Sequence, residues 1–282
     1  MYRLTSLLAL CVAFSSCVDS TKTSSVTKSD STVANIPALT YRLVTTKDST
    51  RHVLKYFAQL PVLLAVNRTD SDNIAKLDTL VVPTDLSAHL EHYSPYPQHL
   101  PFLQNVRKIV YFSYPAQYFA AYENGRLVYT GPTNMGRQKD PTSTGLFFTN
   151  WKAEKTTSTF NDEWELKWNF NIENKEGIGW HQYAMPGYPA SHSCLRLLHG
   201  DAINLYNWAD EWVLKGDNIL AQGTPVIVFG SYPFGEGKPW LRLAADPHAL
   251  DITAGRMQRE TQPHLNKIMA EQQKRSTQPA KK

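Results

Sequence analysis

Cysteine is scarce in this sequence. There are three in 282 residues, and two of them, Cys11 and Cys17, stand at the very start, in a stretch that reads as an export signal. The folded part is then left with one thiol, Cys194, and no partner for a disulfide. Basic runs are missing too. The formal charge is only +4 and no Lys/Arg cluster is interleaved with aromatics, which argues against a nucleic-acid partner. Nothing after residue 20 supplies the roughly 18–20 unbroken apolar residues of a membrane-spanning helix. Metal-ligand sets are also lacking. His89, His92 and His99 lie close together, but no cysteine or tight carboxylate group completes four ligands, and the prolines around them hold geometry poorly. Neither a metal nor a cofactor is expected.

What the chain does have begins with Arg3 and a short apolar run, Leu4 to Phe14, too short to cross a bilayer. Ser15-Ser16-Cys17 follows and resembles a bacterial lipoprotein signal box, which implies cleavage before Cys17 and lipidation of that residue. An exported lipoprotein held at a membrane of the periplasm or cell envelope is the expectation. Residues 18–38 are rich in Ser, Thr, Lys and Asp and read as a flexible tether.

Residues 39–84 read as a small βααβ unit. Strands are expected at Tyr41 to Val44 and Leu80 to Val82, with helices capped near Ser49 or Thr50 and started by Pro61. YRLVTTKDST and LLAVNRTDSDNIAKLDTLVVP resemble a divergent lysin motif (LysM), which implies a grip on peptidoglycan glycan strands; the other reading is a packing subdomain. Residues 85–105, with Pro95, Pro97 and Pro101, read as an extended linker.

From residue 106 the pattern turns to strands. Lys108 to Tyr114 and Gln117 to Tyr122 are β-rich, and Glu123-Asn124-Gly125 predicts a hairpin turn into Arg126 to Tyr129. Trp164, Leu166, Trp168, Phe170 and Ile172 alternate with polar residues, the mark of a half-buried strand. A helix from Asp201 to about Leu214 and a buried strand at Thr224 to Gly230 follow. Residues 232–282 lose periodicity; a short helix at 263–269 is the most that they suggest, and the extension reads as partly disordered.

The single thiol sits in HQYAMPGYPASHSCLR, His181 to Arg196. Ser191, His192, Ser193 and Arg196 surround Cys194, a polar setting unlike that of a buried structural cysteine. A thiol becomes a nucleophile where a neighbouring base or cation raises its thiolate fraction. His181 and His192 are the candidates. In an extended segment residues two apart face the same way, so His192, Cys194 and Arg196 share a face. Arg196 is then placed to reach a substrate carboxylate or carbonyl, the alternative being a structural ion pair. Tyr183, Gly187, Ser191 and Ser193 complete the candidate substrate contacts.

GYPASHSCLRL, preceded by GWH, resembles the signature of the L,D-transpeptidase catalytic domain family (YkuD type). That signature is a histidine, a spacer, Ser-His-Gly-Cys, a hydrophobic residue, then Arg or Asn. Ser193 stands where the family usually has Gly, so a positive φ there would cost strain. YENGRLVYTGP and the loop ending PTSTG extend the likeness over residues 106–231. The resemblance implies a mainly β (α+β) fold, a β-sandwich with a helix after the cysteine. It implies Cys194 as nucleophile, His181 as base and acid, and His192 as a residue that either orients His181 or polarises the thiol. Backbone N–H groups of Ser193 and Cys194 would hold the oxyanion. The implied reaction takes the acyl group of a peptidoglycan stem tetrapeptide, expels D-alanine and forms a 3→3 crosslink. Water or a protein amine as acceptor, and a non-catalytic wall-binding lipoprotein, are the other outcomes.

Overall fold

A computed structural model describes residues 39–45, 59–158 and 165–278. The signal segment with Cys17, the tether, the helix expected near 50–57 and Trp164 lie outside the described residues. The chain opens with an antiparallel pair, β1 (Tyr41–Thr45) and β2 (Thr79–Pro83), with helix α1 (Leu60–Asn67) between them. Pro61 occupies the first turn of α1, where its missing N–H costs nothing. Asn67 ties the helix to the strand: its amide donates to Leu63 O and Val81 O and accepts from Val81 N.

The β-branched and aromatic runs from residue 109 onward pair into one mixed sheet. Its strands are β3 (Ile109–Ser113), β4 (Tyr118–Glu123), β5 (Arg126–Asn134), β6 (Gly145–Phe148), β7 (Lys152–Thr157), β8 (Glu165–Glu173), β9 (Ile178–Gln182) and β10 (Leu195–Leu197). After β10 come helix α2 (His199–Trp208), a separate hairpin of β11 (Val213–Lys215) and β12 (Asn218–Ala221), and β13 (Pro225–Phe229). The nine strands run in the order β6-β13-β3-β4-β5-β10-β9-β8-β7. The β4–β5 turn forms as expected, with Asn124 and Gly125 both at positive φ, the backbone that matches strand twist.

The fold is mainly β, as expected, but the sandwich is a single curled sheet. The long strand β5 pairs with β4 and, near its end, with β10 through Thr133 and Asn134, joining the two halves. Twist then brings inward-facing residues of both halves together. Phe112 of β3 stacks on Trp180 of β9 with ring centroids 6.1 Å apart, and Leu205 of α2 closes the same core.

The structure departs from several expectations of the sequence. The outer face of the sheet is also apolar, with Tyr111, Tyr118, Tyr122 and Phe229 buried, so it needs cover. The 85–105 stretch supplies part of it: Tyr96, Leu100 and Leu103 are buried core residues, not a linker. The C-terminal extension supplies the rest through α3 (Ala254–Thr261) and α4 (Leu265–Ser276), which bury Met257 and Ile268. The β8 alternation also breaks. Trp168 takes φ 56 and the register shifts beyond Lys167, after which Asn169, Phe170, Asn171 and Ile172 are all buried. The helix after Cys194 ends at Trp208, and Lys215-Gly216 turns a hairpin instead of stopping a helix. Its N-cap is Leu198, with Asp201 inside the first turn.

The 39–84 segment belongs to the same compact unit as the nine-stranded sheet. Arg68, just past α1, is 2% exposed and donates to Ala65 O, Val66 O and Ala116 O. Its guanidinium lies 4.8 Å from the centre of the Tyr118 ring and 5.4 Å from that of Trp240. Hydrogen bonds and aromatic faces replace the water that this cation loses.

Candidate active site

Cys194 immediately precedes β10, which runs parallel to β9 with Arg196 opposite His181. Paired residues on adjacent strands point to the same face, and Cys194 lies two before Arg196. The result is a small cleft lined by Cys194, His181, Arg196, Tyr183, His192, Ser191, Leu166 and Ser158. The three residues expected to be catalytic therefore line one cleft.

His181 is buried, with Nδ1 3.1 Å from Gln182 O. A carbonyl only accepts, so Nδ1 carries the proton and Nε2 is left with its lone pair. Burial lowers the pKa of His181 to about 4, overriding the Gln182 bond, and the Arg196 charge pushes the same way. The imidazole is therefore neutral at neutral pH. Cys194 is half-buried, its Sγ 3.7 Å from Gly177 O. Burial pushes the thiol up, while a backbone contact at Gly179 and the Arg196 charge pull it down. Both shifts favour a neutral thiol–imidazole pair at rest over a thiolate–imidazolium pair.

Arg196 is fixed from two sides. Its Nη1 donates to Ala184 O at 3.1 Å, and its guanidinium lies 4.6 Å from the centre of the Tyr183 ring. Tyr183 in turn meets His181 edge-on with centroids 5.8 Å apart. No carboxylate pairs with Arg196 among the described residues, so its charge is left to face the cleft.

The other candidates divide. His192 lines the cleft, but its Nε2 accepts from Arg137 Nη2 at 2.6 Å, and Asp140 Oδ2 lies 3.8 Å away. Arg137 and Asp140 form an ion pair of their own. This polar group sits on the loop between β5 and β6 and was not singled out in the sequence; the R-x-x-D spacing of Arg137 and Asp140 is the signal that was there to find. Thr142 belongs to it, since its hydroxyl donates to Ser193 O at 2.9 Å. Ser191 is buried and its hydroxyl donates to Cys194 O at 2.5 Å. It shapes the turn before the thiol and also lines the cleft. Ser193 takes φ 75, the strained left-handed backbone anticipated for a serine in the place of glycine.

Gly187 is a correction. It is buried at φ +79, and a Cβ there would come 2.7 Å from Leu77 Cδ2. Its left-handed backbone favours glycine, the 39–84 segment packs against it, and it is not among the residues lining the Cys194 cleft. His89, His92 and His99 do not gather with other ligands: among the described residues no group of three potential metal ligands occurs.

A larger cavity of about 750 Å³ lies beside Arg126 to Thr130 and Asp201. It holds no cysteine; the Cys194 thiol and the His181 imidazole line the smaller cleft.

Comparison with known proteins follows this geometry. Residues 107–228 match the family model of the L,D-transpeptidase catalytic domain, YkuD. Among solved structures, an L,D-transpeptidase from Stackebrandtia nassauensis is 23% identical at a TM-score of 0.37, over 45% of this chain and 57% of that one. An L,D-transpeptidase from Mycobacterium smegmatis is 18% identical at 0.36, over 44% and 59%. L,D-transpeptidase 1 of Mycobacterium tuberculosis is 20% identical at 0.33, over 44% and 62%. This chain thus spans less than two thirds of the length of those proteins. No curated protein matches. Residues 107–228, a little under half of the chain, are thus similar to the L,D-transpeptidase catalytic domain of the YkuD family.

Proposed function

We propose that the chain is a cysteine-dependent L,D-transpeptidase of peptidoglycan, forming 3→3 crosslinks through an acyl-enzyme on Cys194. The observation that carries this reading is the cleft where Cys194, a neutral His181 and Arg196 share one face. The sulfur attacks the carbonyl of the third stem residue as His181 Nε2 takes the thiol proton. Backbone N–H groups of Ser193 and Cys194 hold the oxyanion. The imidazolium returns its proton to the leaving amine, D-alanine departs, and a thioester remains. A side-chain amine of a second stem then attacks, its proton passing to His181, and the new amide forms as the thiol is released. Arg196 binds a substrate carboxylate or carbonyl. His192, held through Arg137, shapes the wall of the cleft.

A neutral pair at rest suits this sequence of steps, because the charged thiolate is made only when substrate arrives. The test is a digest of disaccharide-tetrapeptide with the purified protein, read by mass spectrometry. A 3→3 dimer supports transfer; a tripeptide product alone would assign water as the acceptor.

The proposal includes export and lipidation at Cys17, which rest on the sequence motif, and glycan binding by residues 39–84, which rests on the lysin-motif resemblance. Radiolabelled palmitate on Cys17, lost in Cys17→Ala, tests the first. For the second, Arg42 and Lys76 are exposed on that segment, and their replacement by alanine should weaken sedimentation of the whole chain with peptidoglycan.

A further inference from the structure

The segment from Tyr183 to Gly187 carries the groups that fix Arg196, yet it has no regular structure of its own. What holds it comes from 115 and 116 positions earlier in the chain. Asp70 Oδ2 accepts from Met185 N at 2.6 Å, and Asp70 N donates to Met185 O at 3.1 Å. Thr69 Oγ1 donates to the same carbonyl at 2.9 Å, and Thr69 pairs with Pro186 as an isolated bridge. Leu77 and the Asn67 carbonyl pack against Gly187. Thr69 and Met185 are buried, so these bonds form away from water and are costly to leave unmade. The far ends are equally fixed, since Arg68 is anchored on the outer face of the sheet and Asn67 on β2.

We propose that Asp70 and Thr69 are positioning residues of the active site. They clamp Met185, and so set where Ala184 O and the Tyr183 ring hold Arg196 over the Cys194 cleft. The N-terminal segment is then a wall of the catalytic machinery and not a module hung beside it. The proposal rests on the Cys194 reading only in taking that thiol as the reactive group; it needs no particular substrate.

The Asp70 carboxylate is suited to this work in a way its amide is not. Oδ1 accepts from Asp72 N, Asn73 N and Asn73 Nδ2, while Oδ2 accepts from Met185 N and Asn73 Nδ2. Both oxygens meet N–H donors. An asparagine would turn its NH2 toward one of them whichever way it is placed. The groups facing the thiol are His181 and Tyr183 from β9 and the segment after it, Arg196 from β10, and His192 with Arg137 and Asp140 behind it. Leu166 and Ser158 add no charge. Of these, Arg196 and Tyr183 depend on the clamp.

The test is alkylation of Cys194 by iodoacetamide in the full chain, followed on its own peptide by mass spectrometry across pH, with a melting curve for each variant. In Asp70→Asn and Thr69→Val the profile is expected to move to higher pH, with the rate at pH 7 reduced about threefold or more as the cation loosens over the thiol. Thr69→Ser, which keeps the hydroxyl, should follow the wild type. Should Asp70→Asn fail to fold, the Thr69→Val and Thr69→Ser pair decides alone. Folded variants whose profiles superimpose on the wild type, with only the melting point lowered, would overturn the proposal and leave the contact purely structural. Because iodoacetamide bypasses the substrate, a failure to convert tetrapeptide would count against the proposed function without touching this result.

Discussion

Arg196 lies directly opposite His181 in the parallel pairing of β10 with β9. That one register places a fixed cation and a neutral imidazole on the same face as the thiol two residues earlier. A slip by one residue would send Arg196 and Cys194 to the other face. The site is therefore a property of the sheet, set by how the short strand β10 seats between β5 and β9.

The arginine is expected to act through charge and geometry together. Arg196→Lys keeps the charge but loses the planar fork that reaches Ala184 O while lying on Tyr183. We expect tetrapeptide conversion to fall at least tenfold in Arg196→Lys and further in Arg196→Ala, with melting points within a few degrees of wild type. Initial rates at several substrate concentrations check this; equal rates would remove Arg196 from the site.

Ser193 pays for its backbone. A non-glycine residue in the left-handed region costs about 1 kcal/mol, and its φ is 75. Ser193→Gly is expected to raise stability to urea by roughly that amount, less what glycine loses through unfolded-chain entropy, with activity retained. A variant that is clearly less stable would show that the weak Ser193 Oγ contact to Asp140 O matters more than the strain.

Two buried groups make stability depend on pH with opposite signs. His181 has its pKa lowered from 6.5 to about 4, so between those values the unfolded chain binds the proton and stability falls as pH falls. At 1.4 kcal/mol per pH unit the loss is about 3 kcal/mol by pH 4. Asp201 is the reverse. Burial in the first turn of α2 raises its pKa from 3.8 to about 7, so the native state holds the proton longer and stability falls as pH rises through that window. The two slopes offset each other in the wild type. We expect Asp201→Asn to be more stable than wild type at pH 8 and to expose the acid-side loss from His181. His181→Gln should show only the decline toward neutral pH. Urea unfolding at pH 4.5, 6 and 8 reads both.

The loop group around Arg137 is expected to behave as a unit. Arg137→Gln and His192→Gln should each slow alkylation of Cys194, and the double variant should be little worse than either single one, because the two share one contact. Fully additive effects would separate them.

The catalytic core was legible where local chemistry carries the information. The Asn124-Gly125 turn, the β3 and β4 runs, and the polar setting of Cys194 each follow from neighbouring residues alone. Ser193 was readable as a strain point because only its backbone conformation mattered. What was not legible depends on distant partners. Tyr96, Leu100 and Leu103 sit among prolines and polar residues that suggest a linker, and only the apolar outer face of β3 and β4 explains their burial. Met257 and Ile268 are isolated apolar residues in a polar tail, yet they cover that same face. Gly187 stands near Cys194 in sequence, while its left-handed backbone and its contact with Leu77, far away in sequence, account for the glycine. The β8 alternation failed where a bulge at Trp168 moved the register, which no period-two count detects.

The most direct test of the account is intact-protein mass spectrometry of the chain mixed with disaccharide-tetrapeptide. The account predicts an adduct on Cys194 equal to the substrate less D-alanine, followed by crosslinked dimer, with both absent in Cys194→Ala and the adduct sharply reduced in His181→Gln. Dimer formed at normal rate by Cys194→Ala, or an adduct mapped to any other residue, would contradict it.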